Sequence, residues 1–404
     1  MQRFGVLGAV LLTGLLARAD TAAVLPFVSA PSSGVSQTSL DWVGESIAET
    51  VRDALASRGI MTLDRDDILE AYNRLDLREH ALLTRASVMK VGETLDAEQV
   101  IYGTFAFTPA PGNAPETRGS LRVVARIVDL RRMKQSPEFI ETTALEDLAT
   151  LEAHLAWRAL ALLAPKRAPP ESDFRTLRAR IRLDAEENYV RGLLAAAPED
   201  KEKYFMQAAV LDPRYARPCY QLGQIHYQRK EYREAADWLA KVGADDLHFR
   251  EASFLLGLAQ FQSGDYAGAQ KAFQVVAATV PLSEVYNNLG AAESRRNLPQ
   301  AVDDFRKALE GDATDPVYHF NLGYALWKKG DFAAAADRFR AVLDRSPEDQ
   351  MATLLLGRCL KKQGLRTGGE RATDARLQEL ERIKTNYEER AYWQLKSMLA
   401  PKTP

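Results

Sequence analysis

The most regular feature of this sequence is a hydrophobic pattern that repeats every 33 or 34 residues through its second half. Each copy is marked by a leucine followed directly by a glycine, and the marker glycines are Gly223, Gly257, Gly290, Gly323 and Gly357. In four copies a small residue follows and then, four positions later, a large apolar one: Ala235 with Leu239, Ala269 with Phe273, Ala301 with Phe305, and Ala335 with Phe339. Small residues let two helices approach, and large ones fill the neighbouring gap. A period of this length predicts stacked helical hairpins.

These positions resemble the tetratricopeptide repeat (TPR). The best copy reads Asn321-Leu322-Gly323-Tyr324-Ala325, then Gly330-Asp331-Phe332, Ala335, Phe339 and Ser346-Pro347. A degenerate copy, from Ala185 through Gly192 to Pro213, precedes the five clear ones. The resemblance implies an all-α superhelical solenoid over residues 174–364. The alternative is an unrelated helical bundle.

Residues 20–164 show a different pattern, in which short apolar runs alternate with helical spacing. The short runs predict strands at 22–28, 60–63, 100–107, 121–128 and 139–143. Helical spacing predicts helices at 40–57, from about 65 to 75, at 85–95 and at 148–163, with Gly59 ending the first of them. Asp64, Asp66 and Asp67 fit a helix cap better than a cation-binding loop. Segments rich in proline, glycine or serine, at 30–39 and 109–119, are predicted loops. The pattern predicts a mixed α and β domain.

This first half resembles the amino-terminal domain of TolB and its relatives in curli-export and flagellar envelope proteins. The resemblance rests on Val24-Leu25-Pro26-Phe27, on Val100-Ile101-Tyr102-Gly103-Thr104, and on the run from Arg122 to Asp129. Where those families have a Gly-Ala-Asp turn before the middle strand, this chain has Leu95-Asp96-Ala97-Glu98. The resemblance implies an α+β domain, a mixed sheet with flanking helices, that serves binding or assembly, and it offers no catalytic residues to carry over to this chain.

The first nineteen residues have the three parts of a secretory signal peptide. Arg3 supplies the positive charge, residues 4–16 form the apolar stretch, and Ala17-Arg18-Ala19 is a small-x-small cleavage site. Cleavage after Ala19 would send the mature protein to the periplasm, and no later stretch is long and apolar enough to span a membrane. The alternative is that these residues form a buried first helix.

Two further segments complete the predicted organisation. Residues 165–173 contain three prolines and are predicted to link the two halves. After the last clear repeat, residues 365–404 are predicted to hold a capping helix and a tail, with the helix running from Asp374 to Leu399. Its apolar positions are Leu377, Leu380, Ile383, Tyr387, Trp393 and Leu395. Repeat arrays need such a cap with a polar outer face.

Composition and motifs argue against catalysis and nucleic-acid binding. The formal net charge of −2 gives no basic face for nucleic acid. The five histidines are scattered, and neither a nucleophile elbow nor a phosphate-binding glycine loop is present. We therefore predict no catalytic residues, no metal and no cofactor. Cys219 and Cys359 lie four repeats apart, too far for a disulfide, and are predicted to be buried thiols.

The predicted binding site is the groove lined by the first helix of each hairpin. Positions relative to the marker glycines give these candidates: Tyr220, Gln221, Gln224, Tyr227, Phe254, Phe261, Asn287, Asn288, Arg295, Asn321, Tyr324, Trp327, Lys328 and Arg358. Asn288 and Asn321 could hydrogen-bond the backbone of an extended peptide, as asparagines at this place often do in the TPR family. Arg295, Lys328 and Arg358 could receive carboxylates. For each residue the alternative is a structural role within the repeat.

Together these features predict an exported, non-enzymatic adaptor of the bacterial cell envelope. Its TolB-like domain would dock one envelope component, and its TPR groove would hold a peptide segment of another. Two alternatives remain: a cytoplasmic regulatory TPR module, if the first nineteen residues are not a signal, and a role linked to the cell wall, as an enzyme or the activator of one. Its partners are predicted to be proteins, and its oligomeric state is left open.

Overall fold

The computed structural model describes residues 21–30, 40–110, 118–177, 181–365, 377–389, 391–393 and 396. The predicted signal peptide at 1–19 and most of the loop at 109–119 lie outside these residues. In the described part of the chain, no helix is both long and apolar enough to cross a membrane.

The first half is an α/β region built on a mixed seven-stranded sheet. Its strands are β1 (Thr21–Val24), β2 (Val28–Ser29), β3 (Met61–Thr62), β4 (Gln99–Pro109), β5 (Gly119–Asp129), β6 (Lys134–Gln135) and β7 (Phe139–Ala144). β1 runs parallel to β3 and β4, and β2 also pairs with β4 in parallel. β5 is antiparallel to β4, β6 and β7. All five predicted strand regions are present.

Helices cover both faces of this sheet. They are α1 (Asp41–Ala56), α2 (Arg65–Arg74), α3 (Arg85–Thr94) and α4 (Leu148–Leu163). Successive residues of a strand point to opposite faces: in β1, Ala22 and Val24 pack with α1 and α4, whereas Ala23 packs with α2 and α3. α2 begins with the predicted cap, a capping box in which Asp67 accepts a hydrogen bond from the Asp64 backbone.

The second half is a series of helical hairpins. The helices are α5 (Glu171–Leu177), α6 (Leu183–Leu194), α7 (Pro198–Leu211), α8 (Ala216–Gln228), α9 (Tyr232–Leu239), α10 (Phe249–Ser263), α11 (Tyr266–Ala277), α12 (Ser283–Arg295), α13 (Ala301–Gly311), α14 (Pro316–Lys328), α15 (Phe332–Leu343) and α16 (Gln350–Leu360). The degenerate copy is the hairpin of α6 and α7. The first four marker glycines lie within the first helices of the hairpins α8–α9, α10–α11, α12–α13 and α14–α15.

The first four marker glycines lie where the two helices of a hairpin touch. A Cβ atom added to Gly257 would sit 2.6 Å from the Phe273 ring, and one added to Gly290 would sit 2.9 Å from the Phe305 ring. Both distances are too short for a carbon contact, so only glycine lets the ring of the second helix lie on the backbone of the first. This contact explains the pairing of glycine with a large residue along the sequence.

The predicted capping helix is wrong for the described residues 377–388. Here the backbone forms a turn at 377–379 and has no regular secondary structure at 380–388, and among the described residues that follow, helix is found at 389, 391–393 and 396. We call residues 377–389 the tail segment. Its backbone groups bond to side chains of the repeats instead of to one another, which a helix does not permit.

Candidate functional site

A row of three asparagines forms the centre of the groove. Asn287 and Asn288 lie on α12 and Asn321 lies on α14, and all three side chains are fully buried. Asn321 donates to Asn287 Oδ1 at 2.8 Å, and Asn287 donates to Asn288 Oδ1 at 3.2 Å. Asn288 and Asn321 each precede a Leu-Gly marker, so the repeat period itself brings them into line.

The asparagines bind the backbone of the tail segment. Asn321 accepts from Arg382 N at 2.8 Å and donates to Arg382 O at 2.6 Å. Asn288 makes the same pair of bonds with Lys384, at 2.8 and 2.7 Å. In an extended chain, residues i and i+2 present their N–H and C=O groups to the same side. The asparagines therefore act as the neighbouring strand of a sheet would.

Between these two residues and the turn lies a buried glutamate, Glu381, whose side chain has no exposed surface. Its carboxylate lies 2.5 Å from Arg295 Nε and 3.5 Å from Lys328 Nζ, and it accepts a hydrogen bond from Ser294 Oγ at 2.6 Å. A buried carboxylate is stable only when it is paired and hydrogen-bonded. We call Arg295, Lys328 and Ser294 the cationic socket.

Two aspartates receive the basic side chains of the tail segment. Arg382 donates to both carboxylate oxygens of Asp349, at 2.7 and 3.0 Å, and its guanidinium lies 3.5 Å from the centre of the Phe320 ring. Lys384 pairs with Asp315. Burial alone raises the pKa of Asp349, but the hydrogen bonds from Arg382 and from the α16 backbone outweigh it, and the net pKa is lowered. We call Asp315 and Asp349 the anionic sockets.

The two ends of the tail segment are also held. At one end the Tyr324 hydroxyl donates to Leu377 O at 2.7 Å. At the other end Tyr387 stacks on Phe254 at 4.8 Å between ring centres, and Glu388 N donates to Glu284 Oε1 at 3.1 Å. The segment therefore runs from α14 and α16 back towards α10, opposite to the direction of the array.

The structure gathers part of the predicted site around the tail segment. The predicted residues that contact it are Phe254, Asn287, Asn288, Arg295, Asn321, Tyr324 and Lys328. Phe261 lies beneath the Arg295 guanidinium. Trp327 and Arg358 instead donate to the backbone just after α16, at Gln363 O and Gly364 O.

The candidates from the first clear copy have other surroundings. Tyr220 stacks on His248 and accepts a hydrogen bond from Gln224. Tyr227 packs edge-on against Tyr232, and Gln221 is half-buried on α8. These four belong to the part of the array that precedes α10.

Sequence reasoning missed several residues that hold the tail segment, among them Arg250, Glu284, Ser294, Asp315 and Asp349. Asp315 and Asp349 also cap α14 and α16 through their side chains. They are 34 residues apart, so the repeat period could have placed them in line. A helix cap and a ligand socket look alike in sequence, because both are an aspartate before a helix.

A row of helical hairpins whose first helices hold an extended segment is the architecture of a repeat protein for protein interaction. The family model of the tetratricopeptide repeat matches residues 220–284, 254–316 and 320–391. The chain therefore carries tetratricopeptide repeats through this region. Comparison with curated proteins gives no match. Among the described residues, no group of histidine, cysteine and acidic side chains could hold a metal ion.

Solved structures with some similarity include YrrB, a TPR protein with an unusual peptide-binding site, at 19% identity and a TM-score of 0.40, over 42% of this chain and 91% of that one. MamA from Desulfovibrio magneticus RS-1 is 24% identical, with a TM-score of 0.36, over 41% and 95% of the two chains. The C-terminal domain of LpoB from Salmonella enterica is 14% identical, with a TM-score of 0.23, over 31% and 83%.

Proposed function

We propose that the protein is an exported, non-enzymatic adaptor of the cell envelope whose TPR groove holds an extended peptide segment of a partner protein. One observation carries the proposal: the buried Asn288 and Asn321 each bond to both the N–H and the C=O group of one residue of an extended backbone, and Asn287 donates to a carbonyl of the same backbone. Contacts to the backbone suit any extended chain, and side-chain sockets then select among sequences.

The buried side-chain amides of the groove support the proposal that this surface binds a peptide backbone. A buried amide without a partner costs about 1–3 kcal/mol, so a solenoid that needed only to fold would favour apolar residues at these positions. Three such amides in line are expected where a second chain regularly supplies the missing partners. The repeat family is one of interaction scaffolds, which agrees with this role.

The location in the envelope rests on the first nineteen residues and on the resemblance of the first half to envelope domains. In this proposal the α/β half docks on one envelope component while the groove holds another. Fractionation and terminal sequencing in the native host test the location: we expect a start at Asp20 in the periplasmic fraction. An intact Met1 in the cytoplasm would contradict export.

The binding role is tested with a random peptide library displayed on phage and panned on the mature full-length chain. We expect enriched peptides that bind at least ~10-fold more weakly to the variant Asn288→Ala/Asn321→Ala, because two pairs of backbone hydrogen bonds are lost. The control is Asn73→Ala, which removes an exposed asparagine on α2, outside the groove. Enriched peptides that bind equally to the groove variant would argue against a peptide-binding groove.

A further inference from the structure

We infer that the tail segment is a resident ligand of the groove, and that the partner segment which displaces it carries the same pattern. The pattern is a glutamate, a basic residue next to it, a second basic residue two positions further and an aromatic residue three beyond that, as in Glu381, Arg382, Lys384 and Tyr387. The inference rests on the proposed function, because it names the ligand class and the regulation of the same groove.

The cationic socket selects an acidic residue. Arg295 and Lys328 both point at the Glu381 carboxylate, and the side chain of Arg295 is 10% exposed. A neutral or basic residue at this position would remove the buried counter-charge of both cations and leave only the exposed carboxylate of Glu379, 2.8 Å from Arg295 Nη1, which is unfavourable in this partly buried place.

The anionic sockets select basic residues one and three positions later. Asp349 holds Arg382 through two hydrogen bonds, a geometry that the planar guanidinium suits best, while Asp315 holds Lys384. A peptide with carboxylates here would bring like charges together. Asn321 and Asn288 bind the backbone of the same two residues. A peptide whose backbone is bound in this register therefore places its basic side chains in the anionic sockets.

Phe254 adds an aromatic position at the far end. Tyr387 stacks on it at 4.8 Å with an angle of 21° between the rings. Thr385 and Asn386, which lie between Lys384 and Tyr387, are exposed, so the sequence there is free to vary. The recognition pattern therefore consists of these four side chains over seven residues, together with an apolar position at Ile383, which is partly buried against the core of the repeats.

The tail segment competes with any partner because it belongs to the same chain. A tethered ligand has an effective concentration in the millimolar range, so a free peptide must overcome this local excess. The apparent Kd for a free peptide is the intrinsic Kd divided by the fraction of molecules whose groove is open. Weakening the tail segment without touching the groove should then tighten binding of the free peptide.

The test uses a fluorescein-labelled peptide of residues 377–393 and the mature full-length chain, with fluorescence anisotropy as the readout. In the chain variant Glu381→Lys the tail segment meets the cationic socket with the wrong charge, while the groove is unchanged. We expect this variant to bind the free peptide at least ~10-fold more tightly than the unaltered chain. Arg382→Glu, which opposes Asp349, should have the same effect by an independent route.

The matched control is Glu310→Lys, which makes the same charge change at the exposed end of α13 and should bind as the unaltered chain does. Specificity is tested on the Glu381→Lys chain with two altered peptides. Peptides carrying Glu381→Lys, or Arg382→Glu with Lys384→Glu, should each bind at least ~10-fold more weakly than the original.

Three results would overturn the inference. The first is equal peptide affinity for the unaltered chain and both tail variants, and the second is equal affinity for the original and altered peptides. The third is a dimer, detected by light scattering, that dissociates in Glu381→Lys, because it would place the tail segment in the groove of a second copy. If these occur while panning still yields peptides that depend on Asn288 and Asn321, the proposed function stands and only this inference fails.

Discussion

The asparagines of the groove use nearly all of their hydrogen-bonding capacity. Asn321 gives one amide proton to Asn287 and the other to Arg382 O, while its oxygen accepts from Arg382 N. Asn288 accepts from Asn287 and from Lys384 N. A carboxamide has two donors and one acceptor oxygen with two lone pairs. The geometry of these side chains is therefore set by the extended backbone they hold as much as by the repeat.

At the scale of single residues, the sequence predicts the asparagines of the groove but only some of the charged residues of the cationic and anionic sockets. Asn288 and Asn321 stand out because the family pattern marks their position. Asp315 and Asp349 do not stand out, since an aspartate before a helix is already explained by capping. Glu381 was missed because the surrounding apolar spacing suggested a helix, in which it would have been an ordinary solvated charge.

Glu293 gives a prediction about pH. This carboxyl is buried on α12, where Gln270 donates to it at 3.0 Å. Burial first, and then the negative charge of Asp304, raise the pKa of Glu293 to about 7 from an ordinary 4.5. Between about pH 4.5 and about pH 7 the folded state therefore keeps a proton that the unfolded chain releases. The contribution of Glu293 to the free energy of unfolding is lost as the pH rises through this range.

The variant Glu293→Gln keeps the size and hydrogen bond of the side chain but cannot ionise. The difference in thermal midpoint, variant minus unaltered protein, should become more positive from about pH 5 to about pH 8, because only the unaltered protein loses stability as this carboxyl ionises. Glu310→Gln, at an exposed position, should show no such trend. The same midpoint difference at both pH values would contradict a raised pKa at Glu293.

The helical hairpins are the elements that sequence predicts best. The contact that defines each one joins residues only 15 or 16 positions apart, as in Gly257 with Phe273 and Gly290 with Phe305. Local contacts of this kind leave a periodic trace in the sequence. The tail segment is the opposite case, because its conformation depends on partners between 33 and 139 residues away, as for the bonds of Arg382 to Asp349 and of Glu389 to Arg250.

The helix predicted for the tail segment fails for a specific reason. The apolar residues Leu377, Leu380, Ile383 and Tyr387 have helical spacing, but an α-helix would engage the N–H and C=O groups of Arg382 and Lys384 within itself. The groove offers three buried amides that need those groups. Binding to the groove therefore overrides the local helical preference.

The marker glycines allow a comparison inside one chain. A methyl group at Gly257 would lie 2.6–2.9 Å from three atoms of the Phe273 ring, which is fully buried, whereas a methyl group at Gly357 meets no atom of the described residues within 4 Å. We expect Gly257→Ala to destabilise the protein by about 1–3 kcal/mol through overpacking. Gly357→Ala should be neutral or stabilising by up to about 1 kcal/mol, because alanine favours helix.

Thermal or urea unfolding of the two alanine variants checks this difference. Equal effects of Gly257→Ala and Gly357→Ala would mean that the ring contact does not require glycine. A stabilised Gly257→Ala would contradict the packing described for the hairpin.

At the scale of the whole molecule, the two halves are joined by a shared core. Hydrophobic residues run without interruption from the sheet through α1 and α4 into α6 to α9. Polar contacts cross the same junction: Ser46 donates to Glu186 at 3.0 Å, and Arg217 pairs with Asp53. Burial and the nearby charge of Glu186 raise the pKa of Glu152 well above its usual value. The α/β half and the first hairpins therefore pack as one body.

This junction could not be predicted from the sequence. The charged residues of α1, such as Arg52 and Asp53, suggest a solvated helix face, yet both are buried. The proline-rich stretch at 165–173 suggested separation, but Trp157 donates to Pro169 O and Phe174 is buried in the shared core. Partners that lie far away in sequence leave no local trace.

The central claim is that the groove holds an extended backbone, and amide hydrogen exchange of the mature full-length chain tests it most directly. We expect slow exchange at Arg382 and Lys384, which donate to asparagines, and fast exchange at Ile383 between them. This alternation should disappear in Asn288→Ala/Asn321→Ala, whose tail amides should all exchange rapidly. Uniform slow exchange over residues 381–385 would indicate a helix, and uniform fast exchange in the unaltered chain would mean an empty groove. Either result would contradict the account.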